Sequence, residues 1–172
     1  SREEAGSQIG GKCQSRMASI PAGRLASYNI SSEMSGFCMD KYEVTQAEYE
    51  KVMGKNPSKI TGSNLPVESV TWSEANKYCQ KVNKRLPTEW EWEYAAKGGR
   101  NTIYSWGDNG SDAGRYAWFH GNSDNTTHLA GQKESNGYGL YDMAGNVWEW
   151  TASDYDNSGR KVLRGGSWHD DL

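Results

Sequence analysis

One pattern occurs three times in the first half of the chain: Thr-x-x-Glu, at Thr45–Glu48, Thr71–Glu74 and Thr88–Glu91. In this capping box the threonine oxygen accepts the amide three residues on, and the glutamate reaches back to the threonine amide. Two donors that a helix start leaves unpaired are thereby satisfied, so each box fixes where a helix begins. The boxes predict three short helices rather than one long one. Gly54 closes the first, TQAEYEKVMG, and Gly98-Gly99 close the third, LPTEWEWEYAAKGG. In the second, TWSEANKYCQKV, Ala75, Tyr78, Cys79 and Val82 recur at helical spacing and form one apolar face. In the third, Trp92, Ala95 and Ala96 form the inner stripe. Trp90 lies off that stripe, either exposed or packed on a loop.

From Gly98 to Gly139 no period is sustained, and Gly, Asn, Asp, Ser and Thr dominate. An irregular segment this long inside a compact domain is either functional or pinned by ions or rings. Around it the chain reads as short strands. FCMDKYEVT (37–45) leads into the first helix. In GLYDMAGNVWEWT (139–151) Val147, Glu149 and Thr151 alternate with Trp148 and Trp150. A third apolar piece is KVLRGGSW (161–168). No internal repeat is present.

Only 35% of the residues are hydrophobic, and the mean hydropathy is −0.91. Disorder is nevertheless not expected, because 8 Trp and 10 Tyr bury large areas with few rotors. The 20 glycines point to turns. A net charge of −3 without a basic stripe argues against nucleic acid as a partner. No apolar run reaches membrane-spanning length. Residues 1–16 read as a flexible lead, with the domain from 17 to 172. Cys13, Cys38 and Cys79 lack zinc-ligand spacing, which leaves small buried hydrophobes or one disulfide plus an orphan. His120, His128 and His169 show no i,i+4 pairing and read as surface residues. DNGSD (108–112) looks like a calcium loop, but such strings are common in plain turns.

KYEVTQAEY, PVESVTWSEANKYC, KRLPTEWEWEYAAKGG, NGYGLYDMAGNVWEW and VLRGGSW occur in this order. Together they resemble the formylglycine-generating enzyme, or sulfatase-modifying factor, family over roughly residues 17–168. The resemblance implies an α+β domain, a variant of the C-type lectin fold with few helices, small antiparallel sheets and much irregular loop. It also implies a structural calcium ion held by the side chains of Asp142 and Glu149 and the carbonyls of Gly145 and Val147. The ion wants such hard oxygen donors. At the family's other calcium site Trp118 stands where an asparagine begins it, and the loop that follows is shorter.

The family's oxidases place a copper-binding cysteine pair just after Gly-Gly-Ser, because soft thiolates select Cu(I). Here the motif reads GGSWHDDL, with Asp170 at the first cysteine position. No copper is therefore expected, and the chain reads as a non-catalytic binding module, bacterial and secreted, periplasmic or on the cell surface. The alternative is a copper-dependent oxidase acting on a sulfatase cysteine, with its cysteines beyond Leu172. The family also continues past this point with a strand and a cysteine partner for Cys79. A separate C-terminal segment completing the fold is thus a possible partner. Trp148, Trp150 and Trp168 could form a platform for a sugar or peptide. Most of this set reads as core, with Trp168 the exception. A groove of Trp148, Ser167, Trp168, His169, Asp170 and Asp171 is the expected contact surface for a protein, peptide or glycan.

Overall fold

The computed structural model describes residues 4–5, 12–27 and 30–171. All three capping boxes form. Thr45, Thr71 and Thr88 each accept the amide of the box glutamate, which bonds back, and helices α1 (Gln46–Met53), α2 (Trp72–Lys81) and α3 (Glu89–Lys97) follow. Gly54 and Gly98 end α1 and α3 in the left-handed conformation that glycine adopts without a Cβ penalty. A short α4 spans Ala113–Tyr116.

Strands β1 (Glu4–Ala5), β2 (Met17–Ile20), β5 (Phe37–Asp40) and β6 (Lys84–Arg85) form one sheet in the order β2-β5-β1-β6. Neighbours in that sheet are antiparallel. β3 (Gly23–Ser27) pairs with β4 (Ile30–Met34), and β7 (Glu149–Asp154) with β8 (Lys161–Arg164), as separate two-stranded ribbons. The α+β class with small antiparallel sheets is as the sequence implied. Glu4–Ala5, inside the stretch read as a flexible lead, is a central strand. Backbone pairing sets its place, and two residues carry no side-chain period to announce it. Residues 1–3 and 6–11 of that lead lie outside the described residues. The strand expected over 37–45 stops at Asp40, so Lys41 to Val44 bridge it to α1 as irregular chain.

The main core lies between the four-stranded sheet and α3, where Ile20, Leu25, Met39, Trp92, Ala95 and Leu140 meet. Trp90 packs at its margin. Val44, Tyr49, Val67 and Tyr78 fill the space between α1 and α2. Cys13 is bonded to Cys38, which ties the chain start to β5. Cys79 lies outside that disulfide as a buried thiol beside Ala75 and Leu86.

The aperiodic stretch is pinned by rings. Trp106 stacks on Tyr104 at 4.8 Å and on Tyr116 at 5.6 Å, with Ala113 and Ala117 buried beneath. The DNGSD string is a set of caps: Asp108 accepts the Ile103 amide and Asn109 accepts the Ser111 amide.

Candidate functional site

The site is organised by the loop Gly145-Asn146-Val147-Trp148. Gly145 has φ +78°, and a Cβ there would lie 2.0 Å from the Trp118 carbonyl oxygen, so only glycine fits. That close approach lets the Asn146 amide donate to Trp118 O at 2.8 Å and the Gly145 amide to Gly165 O at 2.8 Å. Asn146 also takes positive φ, which asparagine tolerates better than most residues. Its side chain is fully buried and joins three segments. Nδ2 donates to Glu43 Oε2 at 2.6 Å and to the His128 carbonyl at 3.1 Å, while Oδ1 accepts the His128 amide at 2.9 Å. The second oxygen of Glu43 accepts the Val147 amide at 3.2 Å. A carboxylate 1% exposed is tolerable only with such donors around it.

From this base the C-terminal motif is locked in place. The Trp168 amide donates to Asn146 O at 2.9 Å, and Ser123 Oγ donates to Trp168 O at 2.8 Å. Asp170 is absorbed into the turn: its Oδ2 accepts the Ser167 amide at 2.8 Å and the Ser167 hydroxyl at 2.6 Å. His169 packs edge-on against Trp168, and Asp171 lies 3.6 Å from His120 at the exposed surface.

Beside the loop opens a pocket of about 560 Å³, a volume in the range of small-molecule and peptide side-chain sites. Trp148, Trp150, Leu163, Trp168, Val70 and Ile60 line it, with Ser167 at its margin. Trp148 is 46% exposed. Trp150 is half-buried and donates its indole N–H to Val70 O at 3.0 Å. Glu68 builds the lip by accepting the amides of Lys59 and Ile60. Trp148 and Leu163 continue into a second depression with Tyr155, itself 68% exposed.

Of the six predicted groove residues the structure therefore brings together Trp148, Ser167 and Trp168. His169, Asp170 and Asp171 do not line the pocket, because the Ser167–Asp170 turn carries them away from it. The core reading of the tryptophans is corrected for Trp148: it precedes β7 on the face opposite Val147 and Glu149, and unlike Trp150 on that face it stays exposed. His128 is likewise no surface residue. It is half-buried, stacks on Trp118 at 3.7 Å, and its Nε2–H donates to the Ser123 carbonyl at 2.8 Å. On the Trp118 ring, 3.7 Å from its centroid, sits the Lys133 ammonium. Burial pulls the Lys133 pKa down, and the Asp142 charge works against that pull.

The calcium donors can be checked against the same geometry. Asp142 and Glu149 are 1% and 0% exposed. Asp142 Oδ2 accepts the Gly131 amide and Glu149 Oε2 accepts the Trp92 indole N–H, each at 2.7 Å. Carboxylate and carbonyl oxygens are the donors a hard cation takes, so the donor set suits calcium in kind. Among the described residues no group of three His, Cys, Asp or Glu side chains is placed to hold a metal. Backbone carbonyls would have to supply the rest of the shell. The residues do not suit copper: Cys13 and Cys38 are bonded to each other, Cys79 is buried on the inner face of α2, and Asp170 caps a turn.

Glu43 and Asn146 are the residues that sequence reasoning missed. Asn146 stands inside a quoted motif but reads as an ordinary loop residue. Glu43 gives no signal at all, since its partner lies 103 residues away.

Small antiparallel sheets, few capped helices and a long ring-pinned loop define a C-type-lectin-like α+β domain with an aromatic pocket at one end. Residues 8–172 match the sulfatase-modifying factor enzyme 1-like domain, and the chain belongs to that family. It is 43% identical to the inactive C-alpha-formylglycine-generating enzyme 2 of Mus musculus, over 62% of this chain and 38% of that protein. It is 38% identical to the formylglycine-generating enzyme of Streptomyces coelicolor, over 64% of this chain and 45% of the enzyme. It is also 32% identical to the chaperone protein LppX of Paenibacillus barcinonensis, over 78% and 70%. The chain thus spans less than half the length of the first two relatives. Among solved structures, Treponema denticola variable protein 1 superposes with a TM-score of 0.80 at 29% identity, covering 90% of this chain and 84% of that one. No helix among the described residues is long and apolar enough to cross a membrane.

Proposed function

We propose that this chain is a non-catalytic binding domain of the family, and that the aromatic pocket beside Trp148 is its contact surface. The carrying observation is the pairing of an exposed, rigidly based tryptophan with a preformed apolar pocket of about 560 Å³. Exposed aromatic anchors of this kind dominate recognition energetics. Asp170 supports the same reading, since it occupies the oxidases' first cysteine position and serves a turn instead. An inactive relative and a chaperone relative are in keeping with it. The ligand is a protein, peptide or glycan that offers an apolar group to the pocket. Calcium held by Asp142, Glu149 and the carbonyls of Gly145 and Val147 would brace the loop from behind. The Cys13–Cys38 disulfide suits an oxidising compartment, hence a secreted, periplasmic or cell-surface location.

The test is selection of peptides from a displayed library on the folded domain, followed by titration of Trp148→Ala. Because Trp148 is exposed, the variant should keep its fold. Selected peptides should lose at least about tenfold in affinity. Peptides that bind the variant equally well would place the contact surface elsewhere. In parallel, copper-loaded protein should form no aldehyde on a sulfatase-derived cysteine peptide. Aldehyde formation would establish an oxidase in place of a binding module.

A further inference from the structure

A second pocket, of about 240 Å³, shares no lining residue with the aromatic one. Its walls come from three elements: Arg24 from β3, Tyr94 and Lys97 from α3, and Arg100 and Tyr138 from the loops that follow. Three lining residues are cations and none is an acid. Each cation has an existing contact. Arg24 lies 4.0 Å from the exposed Glu33, and Lys97 lies 3.8 Å from Glu93 and donates to Thr102 O at 2.6 Å. Arg100 Nη1 donates to Trp106 O at 2.6 Å. Glu33 and Glu93 offset part of the charge of Arg24 and Lys97, while the carbonyl contacts hold Lys97 and Arg100 in place without neutralising them. Lys97 Nζ also donates to Ile103 O at 3.5 Å, so two carbonyls and the Glu93 ion pair engage it and it contributes charge, whereas arginine carries five donors and one carbonyl does not exhaust Arg100.

The floor is made of two tyrosine hydroxyls. Tyr138 Oη donates to Tyr94 Oη at 3.5 Å, so the two hydroxyls lie side by side. Burial, and then the Tyr94 hydroxyl, push the Tyr138 phenol up to about 12, so it remains a donor at any physiological pH. Gly99 keeps the floor clear, because a Cβ there would lie 3.3 Å from the Tyr138 hydroxyl.

We infer that this pocket binds a tetrahedral oxyanion, the phosphate or sulfate group of a small ester, between Arg24, Lys97 and Arg100 with the tyrosine hydroxyls beneath. Donors arriving from three separate elements suit a tetrahedral group better than a planar carboxylate, which one arginine fork can satisfy. The volume exceeds that of a bare oxyanion, so the group enters with part of its carrier. The inference is independent of the aromatic pocket.

The experiment titrates the whole chain with inorganic phosphate, inorganic sulfate, glucose 6-phosphate and acetate at matched ionic strength, read by backbone amide shifts. Saturable shifts at Tyr94, Lys97, Gly99, Asn101 and Tyr138 are expected with the phosphate and sulfate probes. Glucose 6-phosphate should bind more tightly than free phosphate, which separates an ester site from a free-ion site. Arg24→Glu together with Arg100→Glu should weaken binding at least tenfold, and Tyr138→Phe by a smaller factor with the fold intact. Shifts that track ionic strength alone, acetate binding as tightly as phosphate, or an unchanged affinity in the double variant would each overturn the inference.

Discussion

The helical segment from Thr45 to Lys97 and the loop segment from Gly98 to Trp148 are held by different physics. In the first, each element satisfies its own ends: threonine and glutamate three residues apart close the helix starts, and apolar faces then dock. In the second, backbone groups that no helix or sheet pairs are satisfied by side chains from elsewhere. Asn136 donates to the carbonyls of Ala95 and Ala96 and accepts the amides of Tyr138 and Leu140. Asn146 does the same between Glu43 and His128. A low aliphatic content is thus no obstacle to order when buried amides take over from ladders.

The sharpest break of that comparison is Asn146→Ala. It removes the donor from a buried carboxylate and the acceptor from the His128 amide, and should cost about 3–5 kcal/mol in denaturant unfolding. A loss below about 1 kcal/mol would mean that water replaces the clasp. Next in size is calcium. At a hundredfold excess over its dissociation constant it should stabilise the chain by about 2.7 kcal/mol relative to chelator-treated protein. Asp142→Asn should abolish the difference, and equal melting with and without chelator would remove the ion from the loop.

The smallest effects belong to the helical segment. Thr71→Ala should cost about 1 kcal/mol, as cap removal does elsewhere. Glu74 in the same box is held at about 2 by the Lys55 ammonium first and the Thr71 amide and hydroxyl next. Its folded pKa is below the unfolded one, so its stabilisation is present above about pH 4.5 and lost as pH falls towards 2. Solvent screening limits that share to at most about 1 kcal/mol. Glu74→Gln should flatten this part of the acid unfolding curve; an unchanged curve would assign the acid sensitivity to other groups.

These sizes explain what could be read from the residues. Helix starts, their glycine stops and the inner face of α2 were legible because every partner lies within four positions. The alternation of Val147, Glu149 and Thr151 against Trp148 placed β7 correctly to within two residues. The pocket was half legible: Trp148 and Trp168 stand in quoted motifs, whereas Ile60 and Val70 come from a connection with no period. Glu43, Asn146 and the stacked His128 were illegible because their meaning depends on contacts spanning the whole domain. The Asp170 turn was misread for the opposite reason. A three-residue side-chain cap was mistaken for a ligand-facing acid.

The Asn146 clasp has a kinetic consequence. Its bond to Glu43 closes a loop of more than a hundred residues, and the entropy of such a closure must be spent before the bond returns anything. The capped helices, by contrast, can flicker into place on their own. Assembly is therefore expected to begin among the capped helices, with the loop that carries Trp148 joining after them. The pocket beside Trp148 needs that long-range contact in place, so a half-folded copy is expected to display the helices but not the pocket.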